Sequence, residues 1–225
     1  MVYWVVYNVG ENRYEKRDSV QERVAIFIDG SNLYHALRES CGRADLDFAE
    51  FIRKLCGQRQ LSRAYYYNIL QDQNQNPDGS REQQEFLDIL RKTPYLEVRL
   101  SHTKLRQGVA IEKGVDIMLA TDLLQFGWND LYETAILVSG DGDFAYAVQT
   151  AKNLGKHMEV AYFENNASKD LLEVVDCSQL LNRAFFTGLW WGRRSSRRRR
   201  VGNPKRASWD NQTHKPRDPS PADES

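Results

Sequence analysis

The sequence predicts an α/β fold: a doubly wound parallel sheet of about five strands with helices on both faces. Three observations carry that prediction. The runs Val24-Ala25-Ile26-Phe27-Ile28 and Ala135-Ile136-Leu137-Val138 are apolar at every position, as in strands buried on both faces, where a half-exposed strand would alternate. Segments with helical spacing separate the strand-like runs at intervals typical of βα units. Both apolar runs end in small residues and carboxylates, Asp29-Gly30-Ser31-Asn32 and Ser139-Gly140-Asp141-Gly142-Asp143. In open α/β sheets that carboxyl rim is where ligands bind.

Taken in order, residues 24–28 form the first central strand. Residues 33–39 read as a helix with Ser31 or Asn32 placed to cap it. Phe48, Phe51, Ile52 and Leu55 recur at helical spacing between Asp47 and Gly57, which gives a second, amphipathic helix. Residues 63–70 are the next strand, 71–80 a loop rich in Asn, Pro and Gly, and 82–92 a helix that stops before Thr93-Pro94. Residues 95–100 form a third strand. The polar and basic stretch 101–114 reads as a loop reaching over the sheet edge. Residues 115–126 are apolar on nearly every side, which predicts a helix buried between other elements. A strand at 135–138, a helix at 144–154 and a strand at 157–163 follow, with short helices from Ser168 and near 178–186.

Residues 24–188 therefore form one domain with appendages. Segment 1–23 reads as an N-terminal extension that can lie upstream of a natural start; its apolar opening lacks the basic region and cleavage site of a signal peptide. Residues 189–225 read as a basic disordered tail. Of the 31 basic and 31 acidic residues in the chain, ten basic and four acidic fall in 193–225, so a body of net −6 carries a tail of net +6. Such a tail adds salt-sensitive affinity for nucleic acid. Trp190 and Trp191 beside it suggest base stacking or anchoring to an anionic membrane surface, with a plain solvated tail as the alternative. No apolar run approaches the roughly 20 residues of a membrane span. Cys41, Cys56 and Cys177 lack paired spacing and read as reduced, buried thiols of a cytoplasmic protein.

The chemistry concentrates in Asp29, Asp116, Asp141 and Asp143, which come from three elements. Two carboxylates about 5 Å apart repel by roughly 3 kcal/mol at an effective dielectric near 20. Their convergence calls for protons or a cation, and an all-oxygen set selects Mg²⁺ or Mn²⁺. The plainer reading is that Asp29 and Asp141 interact with the dipoles of the helices that follow them. Asp122 lies six residues after Asp116 and so faces about 120° away, off the metal list. Lys104, Arg106 and Lys113, with Arg99, are candidate phosphate contacts. Ser139 is a candidate for bonding substrate or a carboxylate. Tyr65, Tyr66 and Tyr67 read as core, with base stacking as the alternative.

Ile28-Asp29-Gly30-Ser31-Asn32, Glu112-Lys113-Gly114-Val115-Asp116 and Val138-Ser139-Gly140-Asp141-Gly142-Asp143-Phe144 together resemble the three motifs of the NYN domains, in the LabA-like branch of the PIN-like nucleases. The resemblance runs from about Val24 to Phe163. It implies a PIN-like fold, the four aspartates as metal ligands and catalytic groups, and Asn32 as a supporting polar residue. It also implies a metal-dependent ribonuclease leaving a 5′-phosphate and a 3′-hydroxyl, with RNA as partner and DNA as a second possibility. The alternatives are a non-catalytic regulatory or adaptor module, and a phosphatase or flap-type DNA nuclease using the same carboxylates.

Overall fold

The computed structural model describes residues 22–71, 77–102, 104–106, 109–111 and 114–191, and the side chains of these outside 102–113. The N-terminal segment 1–21 and the basic tail from Gly192 lie outside the described residues.

Six strands form one all-parallel sheet in the order β3-β2-β1-β6-β7-β8. They are β1 (Arg23–Asp29), β2 (Gln60–Leu70), β3 (Leu96–His102), β6 (Thr134–Val138), β7 (His157–Tyr162) and β8 (Cys177–Leu180). The helices are α1 (Gly30–Cys41), α2 (Phe48–Cys56), α3 (Pro77–Arg91), α4 (Val115–Trp128), α5 (Ala145–Asn153) and α6 (Lys169–Val174). A two-stranded antiparallel hairpin, β4 (Lys104–Arg106) with β5 (Val109–Ile111), occupies the stretch expected to be a loop.

The two-sided burial predicted for β1 is observed. Val24, Ile26 and Ile28 face a core built with α1, α2 and α3, while Ala25 and Phe27 face a second core under α4, α5 and α6. Alternate residues point to opposite faces, so a strand covered on both sides is apolar throughout. Tyr66 packs with Phe48 and Phe86 on the first face, and Tyr65 and Tyr67 pack around Phe27 on the second. All three tyrosines are buried, which removes them as stacking platforms for bases.

Four expectations are corrected. The segment 178–186 does not form a helix: Cys177–Leu180 is the sixth strand, at the sheet edge, where its largely exposed side chains give no apolar run to read. The helix α4 is not enclosed, since Ile117 and Trp128 are 73% and 76% exposed; its apolar outer face is open to solvent. Cys177 is exposed and Cys41 half-buried, so only Cys56 is a buried thiol. Trp190 is docked rather than available, with Arg43 over its ring at 4.7 Å and Phe186 at 5.5 Å. Backbone bonds from Asp47 N to the Leu189 carbonyl and from Trp191 N to the Asp45 carbonyl fix that segment to the body. Among the described residues no helix is long and apolar enough to cross a membrane.

Candidate functional site

The strand order reverses at β1, whose neighbours are β2 on one side and β6 on the other. That switch opens a crevice at the carboxyl ends of β1 and β6. Asp29, the last residue of β1, sits there with 6% exposure. Its Oδ1 accepts a hydrogen bond from Asn32 N at 3.1 Å, and its Oδ2 accepts one from the Ser139 hydroxyl at 3.1 Å. Asp29 is therefore the N-cap of α1, the role expected of Ser31 or Asn32. Burial pushes its carboxyl above the ordinary range; the two hydrogen bonds oppose this, and the negative charges of Asp116 and Asp141 add to it.

Ser139 is 1% exposed and links two of the acids, because its oxygen also accepts from Asp141 N at 3.2 Å. Of the two uses expected for Ser139, bonding a carboxylate is the one observed. Asp141 caps the following single turn of 3-10 helix, accepting from Asp143 N at 3.0 Å, and Asp143 is exposed on that turn. The cap reading of Asp29 and Asp141 is thus correct in itself, and it leaves each carboxylate further lone pairs.

Asp116 lies in the first turn of α4, after Gly114, which adopts φ 93°. Asp116 is itself an exposed residue on that turn. Partial desolvation raises the Asp116 carboxyl, followed by the charges of Asp141 and Asp143. Asp116 is therefore within electrostatic reach of all three other acids, and among the described residues no cation offsets the shift of either Asp29 or Asp116.

Asn32 bridges α1 to the acidic turn. Its Oδ1 accepts from Gly140 N at 3.3 Å and from Asn166 Nδ2 at 2.9 Å. Asn166 was missed at the sequence level; the only signal is a turn-forming Asn-Asn-Ala-Ser stretch after the β7 run. It belongs to a segment that closes over the acidic turn, where Ser168 N also donates to the Gly140 carbonyl at 2.8 Å. A Cβ on Gly140 would lie 2.6 Å from Asn166 Oδ1, and one on Gly142 2.5 Å from Ser168 Oγ. Neither glycine has a positive φ. They are required for close approach, not for a left-handed turn.

Asp122 is excluded from the rim as expected. It is buried beneath the sheet, accepting from the Tyr67 hydroxyl at 3.0 Å and pairing with Arg99 at 3.2 Å. Arg99 also lies 5.6 Å over the rings of Tyr65 and Phe126. It is thereby engaged in the core and is not a phosphate contact. Lys113 lies outside the described residues, as do the side chains of Lys104 and Arg106.

In kind, the donor set fits a hard divalent ion: four carboxylates, with no compensating cation among the described residues. In spacing, no three His, Cys, Asp or Glu side chains among the described residues are gathered closely enough to hold one.

The NYN domain family model matches residues 23–181, the whole span from β1 past β8. The chain belongs to the NYN domain family. Its NYN domain lies in the LabA-like branch: the chain is 26% identical over 155 residues to the low amplitude and bright protein LabA of Synechococcus elongatus, covering 68% of this chain and 81% of that one. The fold is shared with the crystal structure of a protein of unknown function from Vibrio parahaemolyticus RIMD 2210633, at TM-score 0.62 and 24% identity over 74% of this chain and 97% of that chain. The PIN-like α/β architecture expected from the sequence is therefore that of the molecule, with one strand more than the expected five.

Proposed function

We propose that this NYN domain is a metal-dependent nuclease acting on RNA, with Asp29, Asp116, Asp141 and Asp143 as its metal-holding and catalytic groups. One observation supports the reading above the others: beyond the effect of burial, the charges of Asp116 and Asp141 raise the Asp29 carboxyl and those of Asp141 and Asp143 raise the Asp116 carboxyl at the sheet's switch point, with no offsetting cation among the described residues. A Mg²⁺ or Mn²⁺ ion bound there supplies the activation of water and the neutralisation of charge on the departing oxygen. The chain's own residues do the positioning. Ser139 and the Asn32 amide hold the Asp29 carboxylate in one orientation, and the Asp143 amide does the same for Asp141. Asn32 keeps its side-chain N–H groups for a phosphate oxygen, with Lys104, Arg106 and Lys113 as the proposed cationic contacts that an acidic body needs. Cleavage leaves a 5′-phosphate and a 3′-hydroxyl, and the three unpaired thiols suit a reducing, cytoplasmic setting.

The test uses labelled single-stranded RNA and DNA with Mg²⁺, Mn²⁺ or EDTA, beside Asp29→Asn and Asp141→Asn. The reading requires metal-dependent cleavage of RNA that both substitutions abolish; cleavage that survives them defeats the assignment. Cleavage of DNA alone would replace the substrate and keep the site. A second reading, a non-catalytic nucleic-acid-binding module, is favoured by the spacing of the acids, none of which form a ready group of three. It predicts binding without cleavage and without uptake of metal.

A further inference from the structure

A groove of about 600 Å³ opens beside the acidic rim, between α1, α3 and the carboxyl end of β2. It is continuous with the site along the chain, since Gly30 and Ser31, which line it, directly follow Asp29. It is also continuous across the sheet: Asp29 pairs with Tyr67, so Asn68 stands one residue beyond the level of Asp29 on the adjacent strand, about 5 Å away. The floor is apolar, with Phe86 set against Tyr66, and the mouth carries Tyr34 and His35, whose rings meet edge to face at 5.5 Å. Tyr34 is half exposed at that mouth.

The polar wall is incompletely used. Asn68 Oδ1 accepts from the Ser31 hydroxyl at 3.2 Å and from Ile69 N at 2.7 Å, and Asn68 Nδ2 donates to the Tyr66 hydroxyl at 2.9 Å. An amide nitrogen carries two protons and a hydroxyl oxygen two lone pairs. One Asn68 N–H and the Ser31 lone pairs thus remain, beside a His35 ring that can donate or accept. Gln83 locks the wall, donating to the Ile69 carbonyl at 2.7 Å and accepting from Gln71 N at 2.8 Å. Among the described lining residues the formally charged one is Glu82, with no Lys or Arg. Such a lining repels phosphate and suits a flat, neutral, hydrogen-bonding ring.

We infer that this groove receives one unpaired nucleobase of the single strand lying across the acidic rim, stacked at Tyr34 and His35 and hydrogen-bonded by Asn68 and Ser31. The inference rests on the proposed nucleic-acid substrate for the strand that delivers the base. It adds a register: the base next to the scissile phosphate is gripped, and duplex nucleic acid, whose bases are stacked and paired, is excluded.

The experiment is an abasic scan in EDTA. Fluorescein-labelled single-stranded RNA oligomers, each with one abasic nucleotide at successive positions, are titrated against the full chain, and affinity is read by anisotropy. Wild type loses about tenfold in affinity at one position or two adjacent ones. The double variant Tyr34→Ala/His35→Ala, altered only at the exposed mouth, binds the intact oligomer about tenfold more weakly and is indifferent to where the abasic nucleotide lies; Asn68→Leu, checked for folding by circular dichroism, does the same. A flat scan in wild type, or variants that retain its position dependence, overturns the groove. The two readings separate cleanly. A flat scan with metal-dependent cleavage in a parallel assay sinks the groove alone, a position-dependent scan without cleavage sinks the nuclease alone, and no binding of any oligomer together with no cleavage sinks both.

Discussion

Asp29 performs two tasks with four lone pairs: it caps α1 and closes the gap to Ser139 just past the end of the neighbouring strand β6. Removing the Ser139 hydroxyl leaves Asp29 Oδ2 and Asp141 N without partners in a buried place. Ser139→Ala should therefore cost about 1–3 kcal/mol of stability by urea denaturation and lower cleavage further than its stability loss explains. For the wild type, Mn²⁺ at a hundred times its dissociation constant should add about 2.7 kcal/mol of stability, read as a rise in Tm that Asp29→Asn and Asp141→Asn abolish; an equal rise in the variants would place the ion elsewhere. A residue far from the site gives the pH dependence. Glu133 is held below its ordinary carboxylate range chiefly by hydrogen bonds from the Arg23 guanidinium, with Arg23 N also donating to it at 2.7 Å. A depressed carboxyl stabilises the fold above its unfolded value of 4.5, and that stabilisation is lost as pH falls through the folded value. Glu133→Gln should thus lower Tm at pH 7 by the equivalent of less than about 1 kcal/mol, given the half-exposed pair, and the difference should vanish in acid.

At the scale of elements, the turn after β6 is a clamped object, held from one side by Asn32 of α1 and from the other by Asn166 and Ser168. Gly140→Ala would drive a methyl into the backbone of Asn166 and should destabilise the protein by about 1–3 kcal/mol in urea denaturation; a neutral result would mean that the closing segment yields easily. The cores of β1 and β6 were readable because covering both faces of a strand leaves an unbroken apolar run. The edge strand β8 was not, because Cys177, Ser178 and Gln179 are exposed and carry no pattern. The helix α4 misled for the opposite reason: Ile117 and Trp128 are apolar yet face solvent, so composition overstated its burial. Asn166 was missed because its role comes from a contact 134 residues away in sequence, and the local Asn-Asn-Ala-Ser stretch marks only a turn.

At the scale of the whole molecule, the acidic body and basic tail divide the charge. Deleting residues 193–225 removes ten basic side chains and should flatten the salt dependence of RNA binding while leaving the melting curve of the body unchanged; an unaltered slope would assign the backbone contacts to the body. The all-parallel sheet has a temporal consequence as well. Asp29 emerges early in synthesis, yet its Ser139 partner follows 110 residues later and the Asn166 clasp later still. Until β6 inserts beside β1, the first acid has no neighbour across the crevice. A nascent or truncated chain ending before Thr134 thus carries Asp29 and Asp116 without Ser139, Asp141 and Asp143, so the centre is assembled only after β6 has been made.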